Sequence, residues 1–367
     1  MVPVGAPQQV CAHAQEQADR FAARTGVAVD ATALITGRAA QFGWGSRGRI
    51  SAGGATRLLG GAGGWCAVTL ARADDNDAVP ALVGADHVGD PWVALGTWVQ
   101  RHGADATVER ARLLGLPAGL LGETAAAAPR IRVTGAASAR PLADLLVADL
   151  SSMWAGPLCG QLLACAGATV VKVESLARPD GTRAGRQAFC DWMNGGKLSY
   201  AVDFDDVRAL HRLLSVADVV IEASRPVALR RRGLGPGTVA PRAGRVWLHI
   251  TGYGTDAPGA DWVAFGDDAA VSGGLVEYDS TGPVFVGDAI ADPLTGLCAA
   301  DAVTESLGRG GGELIEVSMA ATAARYTGLT GEPCRAPAPR PAARAPALGA
   351  DNARVQAMIE ERWSVSC

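Results

Sequence analysis

Short apolar runs recur through the second half of the chain, each followed by a polar or glycine-bearing break and a helix-like stretch. The runs cover residues 145–150, 169–174, 198–202, 218–222, 246–251 and 313–318. Their length and tight bounds predict buried strands. Between them, Pro157 is placed to open a helix reaching about Ala166 and stopping at Gly167, since its missing N–H falls where a helix needs no donor. Further helices are predicted over 207–216, around 227–232, over 292–307 and from near Met319. Strand and helix in alternation predict an α/β fold: a Rossmann-like doubly wound parallel sheet forming a large domain, beside a smaller α+β domain. Ligands of such sheets sit at the carboxyl ends of the strands.

The first third reads differently. Ala14, Ala18, Phe21 and Ala22 share one helical face, and the rest of residues 1–40 carries little pattern. The glycine-dense passage 42–64 predicts turns around short strands, because it lacks GxxxxGK[ST] and the strand-then-helix setting of a phosphate loop. A strand over 65–70 and helices over 74–83 and 107–114 follow. The domain division expected is a small-domain-like region (1–123), an Ala-rich linker (124–140), the large domain (141–330), a Pro/Ala linker (331–347) that is extended and solvated, and a C-terminal tail (348–367) with a terminal helix over 350–361.

Composition narrows the class. With 367 residues, 49% apolar and 19% charged, the chain can bury a substantial core. A net charge of −4 gives no sequence-wide attraction to nucleic acid or an anionic membrane, and neither is expected as a partner. The eight cysteines are scattered, with no CxxC pair and no histidine at ligand spacing, so no metal is expected and the thiols read as small buried hydrophobes of a reducing compartment. The start lacks the basic and apolar segments of a signal peptide, and no run is long enough to span a membrane; a cytoplasmic protein is expected.

The first strand–loop–helix invites a dinucleotide, with Glu174 where an acidic ribose ligand would sit. The loop, however, reads SSMWAGPLCG and not GxGxxG, and bulky Trp154 stands where a backbone would approach a pyrophosphate. Nicotinamide is therefore disfavoured. DLSSMWAGPLCGQLLACAGATVVKVE instead resembles the opening signature of the family III CoA-transferases, which include formyl-CoA and carnitine CoA-transferases and α-methylacyl-CoA racemases. MNGGKLSYAVDF, ADVVIEASRPVALRRRGLG, HITGYG and LGRGGGELIEVSMAATAA follow in the family's order, over roughly residues 138–325. Pieces in residues 1–123 and near the C-terminus resemble the family's smaller domain, which normally follows the large one.

That resemblance implies a CoA-transferase moving CoA from an acyl-CoA to a carboxylic acid, coenzyme A as co-substrate with no permanently bound cofactor, an interlocked homodimer, and an aspartate nucleophile. The family's D-x-x-[TG]-G motif falls on Asp292-Pro293-Leu294-Thr295-Gly296, which by itself reads as a helix N-cap. A carboxylate there is expected to stay ionised and available to attack a thioester. Asp288 is the rival, at the wrong spacing. Carried over residue by residue, CoA contacts fall on Trp154, Ala155, Ser175, Val202, Asp203, Arg231, Thr251, Gly252 and Tyr253, with Arg231 suited to phosphate oxygens. Ala223-Ser224 and Asp205 depart from the family's Asn-Phe and lysine. Gly266-Asp267-Asp268 stands where family racemases carry Gly-His-Asp, so racemisation is disfavoured. An acyl-CoA racemase or isomerase, and a catalytically silent acyl-CoA-binding paralogue, are the alternatives. His211 and His249 read as structural.

Overall fold

The computed structural model describes residues 3–224 and 226–366. In chain order its elements are β1 (Ala6–Pro7), α1 (Gln8–Thr25), α2 (Ala31–Phe42), β2 (Thr56–Gly61), β3 (Gly64–Thr69), α3 (Ala73–Val83), α4 (Pro91–His102), α5 (Ala104–Leu113), β4 (Ala118–Leu120) and β5 (Arg130–Val133). Then come β6 (Leu146–Asp149), α6 (Ala155–Cys165), β7 (Thr169–Ser175), α7 (Gln187–Asn194), β8 (Leu198–Val202), α8 (Val207–Val216), β9 (Val219–Glu222), α9 (Pro226–Arg231) and β10 (Val246–Thr251). The last are α10 (Gly266–Ser272), β11 (Val276–Asp279), β12 (Gly282–Phe285), α11 (Ala291–Gly308), β13 (Glu313–Ser318), α12 (Met319–Ala324), β14 (Pro333–Cys334) and α13 (Asn352–Ser366).

The apolar runs become one seven-stranded sheet in the order β5-β13-β10-β9-β6-β7-β8, parallel throughout except at β5, which joins β13 antiparallel. Strand alternation sends successive side chains to opposite faces. Leu145, Val147, Val219, Ile221, Leu248 and Ile315 meet α1, α6 and α11 on one face. Leu146, Ala148, Val171, Val220, Trp247 and Leu314 meet α8 and α13 on the other. Both faces are covered by helices, the condition under which parallel strands are apolar on both sides.

α11 is the central helix of the first face, and its closeness to α6 depends on one glycine. A Cβ at Gly296 would lie 2.7 Å from the Ala155 carbonyl and 2.9 Å from Leu158. α1 crosses the far end of α11, where Asp301 takes Arg20 and Arg24. Residues 56–120 form a separate layer, in which the sheet β2-β3-β4 carries the apolar cluster of α3, α4 and α5.

Several expectations change here. Residues 1–40 hold a second helix, α2, capped by Asp30 through the Ala33 N–H and ended by Gly43 at φ 67°. Residues 130–133, read as linker, are an edge strand of the large sheet. The Pro/Ala stretch packs on the body: β14 pairs with β1, Ala336 N–H donates to Thr36 Oγ1 and Ala345 N–H to Asp191 Oδ1. The terminal helix runs over Asn352–Ser366, and its cap residues bond β8 through Asp351 Oδ2 to Ser199 N–H and Asn352 to the Ala201 backbone. Seven cysteines are free thiols; Cys367 lies outside the described residues. No described helix is long and apolar enough to cross a membrane. No cluster of metal-ligating side chains occurs among the described residues.

Candidate active site

The β6–α6 turn is built by buried charge. Asp149 ends β6 and accepts from both the N–H (3.1 Å) and the hydroxyl of Ser151. Lys197 Nζ reaches Asp149 Oδ2 at 2.9 Å, the Pro157 carbonyl at 2.8 Å and Asn194 Oδ1 at 3.1 Å. Lys172, from β7, bonds the Ser151 carbonyl and pairs with Asp180 at 2.9 Å. Asp180 in turn accepts the Met153 N–H at 3.2 Å, fixing a residue whose φ of 72° lies in the left-handed region. That region costs an ordinary residue roughly 1–2 kcal/mol, so it persists only where neighbours hold it. The turn delivers Trp154 and Ala155 to the start of α6, two residues before Pro157, which occupies the first helical turn without penalty.

Asp292 sits across from that helix start. It is the second residue of α11, whose cap is Ile290, so Asp292 is not the N-cap its sequence suggested. The preceding turn has Ala289 at φ 43°, and its two polar groups are both engaged: its N–H on Asp267 Oδ1 at 2.9 Å, its carbonyl on the Asp292 N–H at 2.9 Å. Gly266 opens α10 directly against this turn, where a Cβ would overlap Asp292 Oδ2 and the Ala289 carbonyl. Asp288 is fully buried and clamped by Arg38 of α2, Nε to Oδ2 at 2.8 Å and Nη2 to Oδ1 at 2.6 Å. The rival carboxylate is thus committed to an ion pair. The Arg38 guanidinium lies 4.4 Å from the Trp154 ring centre and 5.5 Å from those of Trp44 and Phe189, within cation–π range.

Electrostatics correct the expectation of a fully ionised Asp292. Burial pushes its carboxyl up to about 7; Arg38 and the Ala155 backbone N–H pull it down, and Asp267 and Asp288 push it up. Burial likewise lifts Asp267 to about 6, with Asp288 adding to it and Arg38 opposing. Asp268, buried, accepts from Thr69 Oγ1 at 2.8 Å and the Phe265 N–H at 3.0 Å, and burial raises it to about 8. Desolvation disfavours the charged form, and like charges add to it. Near neutral pH Asp292 therefore exchanges between acid and carboxylate, and its anion is a stronger base and nucleophile than an ordinary aspartate. Trp154 Nε1 and Thr295 Oγ1, the latter one turn along α11 from Asp292, are buried with no hydrogen-bond partner.

The other sequence-derived positions, Arg231 on α9 excepted, lie at or just beyond the carboxyl ends of parallel strands, and they do not line one cavity together. Ser175 ends β7, Val202 ends β8 and is buried, and Asp203 is exposed, accepting from the Asp205 N–H at 2.9 Å. Arg231 is exposed at the end of α9, and its neighbour Arg232 pairs with Asp205 at 3.1 Å. Thr251 and Tyr253 line a cavity of about 210 Å³ at the ends of β10 and β13, with Arg130, Asp256, Glu316 and Ser318; Asp292 does not line it. Gly252 accepts at its carbonyl from the Ala320 N–H and packs its α-carbon against Ala264. His211 and His249 are engaged locally, with Ser215 and with the Ser224 carbonyl. Sequence reasoning missed Arg38. The Asp30…Gly43 punctuation around α2 was the available signal for its helix.

Residues 142–352 match the profile of CoA-transferase family III. The chain is 29% identical over 198 residues to succinyl-CoA–D-citramalate CoA-transferase of Chloroflexus aurantiacus, covering 49% of each chain. It is 31% identical over 191 residues to succinate–glutarate CoA-transferase of Agrobacterium fabrum, covering 46% of this chain and 47% of that one. The crystal structure of the Rv3272 protein of Mycobacterium tuberculosis overlays with a TM-score of 0.47 at 29% identity, over 52% of this chain and 57% of the other. The chain spans about half the length of the curated relatives it matches. The ordered motifs and the matched span, more than half of the chain, lead to one conclusion: it belongs to CoA-transferase family III.

Proposed function

We propose that this protein transfers CoA from an acyl-CoA to a carboxylic acid, with Asp292 as the nucleophile. One observation carries the reading: Asp292 is set at the start of α11 against the first N–H of α6, with its carboxyl raised to about 7 by burial. An Asp292 oxygen attacks the thioester carbonyl, the C–S bond breaks, and a mixed anhydride and CoA thiolate result. The thiolate attacks the Asp292 carbonyl, expelling the donor acid as carboxylate and leaving an aspartyl-CoA thioester. The acceptor carboxylate attacks that thioester and releases the thiolate, and the thiolate then takes the acyl group from the new anhydride and frees Asp292. Atoms and charge balance without an outside reactant. The Ala155 N–H stabilises negative charge on the Asp292 oxygens at each stage.

The strand order β8-β7-β6-β9-β10-β13 corresponds to 3-2-1-4-5-6, that of Rossmann-like doubly wound sheets, and supports a ligand crevice at the reversal between β6 and β9. Trp154 and Ala155 follow β6 at that reversal. CoA as co-substrate, contacts at the nine positions carried over from the family, a cytoplasmic setting, a large and a small domain, and an interlocked homodimer belong to the same reading. The relatives' names make succinyl-CoA the first donor to try, with citramalate and glutarate as acceptors. The test is trapping: incubation with acyl-CoA donors, then hydroxylamine, then mass spectrometry of the Asp292 peptide. A hydroxamate on Asp292, absent from Asp292→Asn, is expected. CoA binding with no hydroxamate from any donor would instead assign a silent acyl-CoA-binding role.

A further inference from the structure

Residues 142–352 carry the family match, yet the cation that meets the Asp292 turn comes from α2, more than a hundred residues before that span. α2 is fixed to the matched region from several directions. Arg186 Nη1 donates to the Gln41 carbonyl at 3.1 Å, and Gln41 Nε2 to the Pro339 carbonyl at 3.1 Å. The helix packs so closely that a Cβ at Gly37 would meet Pro339 and Trp192, each at 2.9 Å. From this base Arg38 forms its two-point pair with Asp288, side chains 16% and 1% exposed, while Trp44, Trp154 and Phe189 surround the guanidinium. Asp288 is four residues before Asp292, at the start of the strained turn.

We infer that Arg38 is a positioning residue for Asp292: it holds the Asp288 end of the nucleophile's turn and supplies positive charge to a group of carboxylates. The inference deepens the CoA-transferase reading and rests on it. The groups around Asp292 act in opposite senses. Asp267 and Asp268 come from α10 and Asp288 from the turn itself; α6 offers the Ala155 N–H and no charged side chain; α2 offers Arg38. Arg38 stays charged, because Asp288, Asp292 and Asp267 outweigh the cost of its burial. A two-point guanidinium–carboxylate pair fixes orientation as well as charge, which an ammonium does not reproduce.

The test is a carboxyl-carbon NMR titration of the full chain labelled at aspartate Cγ, with Asp292 assigned from Asp292→Asn. Arg38→Gln is expected to raise the Asp292 midpoint by about one unit, a tenfold change in its acid–base equilibrium. Arg38→Lys is expected to restore most of that shift but to slow hydroxamate formation, since it keeps the charge and loses the fork. Asp288→Asn is expected to lower the midpoint, a direction that a merely structural role for the pair does not produce. If Arg38→Gln unfolds the chain, Arg38→Gln/Asp288→Asn removes both partners and is compared with Asp288→Asn alone, above whose Asp292 midpoint its own is expected to lie. An Asp292 midpoint unmoved by Arg38→Gln, whether in the unmodified chain or on the Asp288→Asn background, overturns the inference. The titration needs no turnover, so it fails separately from the trapping experiment, which tests the transferase reading.

Discussion

Two buried ionic clusters flank the start of α6, and they differ in charge balance. At the β6–α6 turn, Asp149 and Asp180 face Lys172 and Lys197, two of each sign. Before α11, Asp267, Asp288 and Asp292 share Arg38, and Asp268 stands beside Asp267 with no cation of its own among the described residues. In the balanced cluster burial works against ionisation, yet Lys197 and Lys172 hold Asp149 below the usual carboxylate range, and Lys172 does the same for Asp180. Asp149 and Asp180 in turn keep Lys172 above its ordinary value against burial. Lys197 is lowered by its burial and by Lys172, but its three contacts hold it on Asp149. In the unbalanced cluster burial prevails and the carboxyls of Asp267, Asp268 and Asp292 rise. Matched charge builds a rigid turn, and surplus negative charge leaves a carboxyl that titrates near neutrality.

The two clusters respond to pH with opposite sign. Asp149 and Asp180 bind protons less readily folded than unfolded, so their contribution is present above about pH 4 and is lost as pH falls. Asp267, Asp268 and Asp292 keep protons that the unfolded chain has released, so between about pH 4 and their raised values stability declines as pH rises.

Breaking the balanced cluster has the largest expected effect. Lys172→Met leaves Asp180 and the Ser151 carbonyl buried without their cation, and removing one partner of a buried pair costs about 3–5 kcal/mol. Denaturant unfolding at neutral pH checks this, and a loss below about 1 kcal/mol would mean that water replaces the ammonium. Gly266→Ala comes next. Its methyl overlaps Asp292 Oδ2 and the Ala289 carbonyl, and overpacking typically costs about 1–3 kcal/mol. Hydroxamate formation should fall with it while CoA binding persists, which the trapping assay and a binding titration read separately. Ala289→Gly is the smallest. It relieves a left-handed alanine worth roughly 1–2 kcal/mol and adds glycine entropy of roughly 0.5–1 kcal/mol, so stability should rise by no more than about 1.5 kcal/mol. Thermal unfolding at one pH decides it.

How far the sequence was legible follows the same contrast. β8, β10, β13 and α8 occupy the residues the pattern predicted, because strands buried on both faces carry apolar residues at adjacent positions and α8 carries a periodic pattern. α2 and α10 were invisible to periodicity, since ATALITGRAAQF and GDDAAVS are short and rich in small residues. β5 was read as linker because RIRV is exposed along its whole length and gains its identity only from pairing with β13. Asp292 was found by motif, but its raised carboxyl depends on burial and on Asp267, Asp288 and Arg38, brought together from three segments far apart in the chain. No local pattern encodes that meeting.

The central claim is that Asp292 pays for its reactivity with stability, whereas Asp149 supplies stability. It is tested most directly by thermal unfolding of Asp292→Asn and Asp149→Asn against the unmodified chain, near pH 5 and near pH 8.5. Asp292→Asn should gain on the unmodified chain as pH rises, by a few degrees at roughly 2–4 °C per kcal/mol. Asp149→Asn should be the less stable protein at both values, because Lys197 loses its counter-ion. An Asp292→Asn difference that stays constant with pH, or turns against the variant near pH 8.5, would contradict the claim.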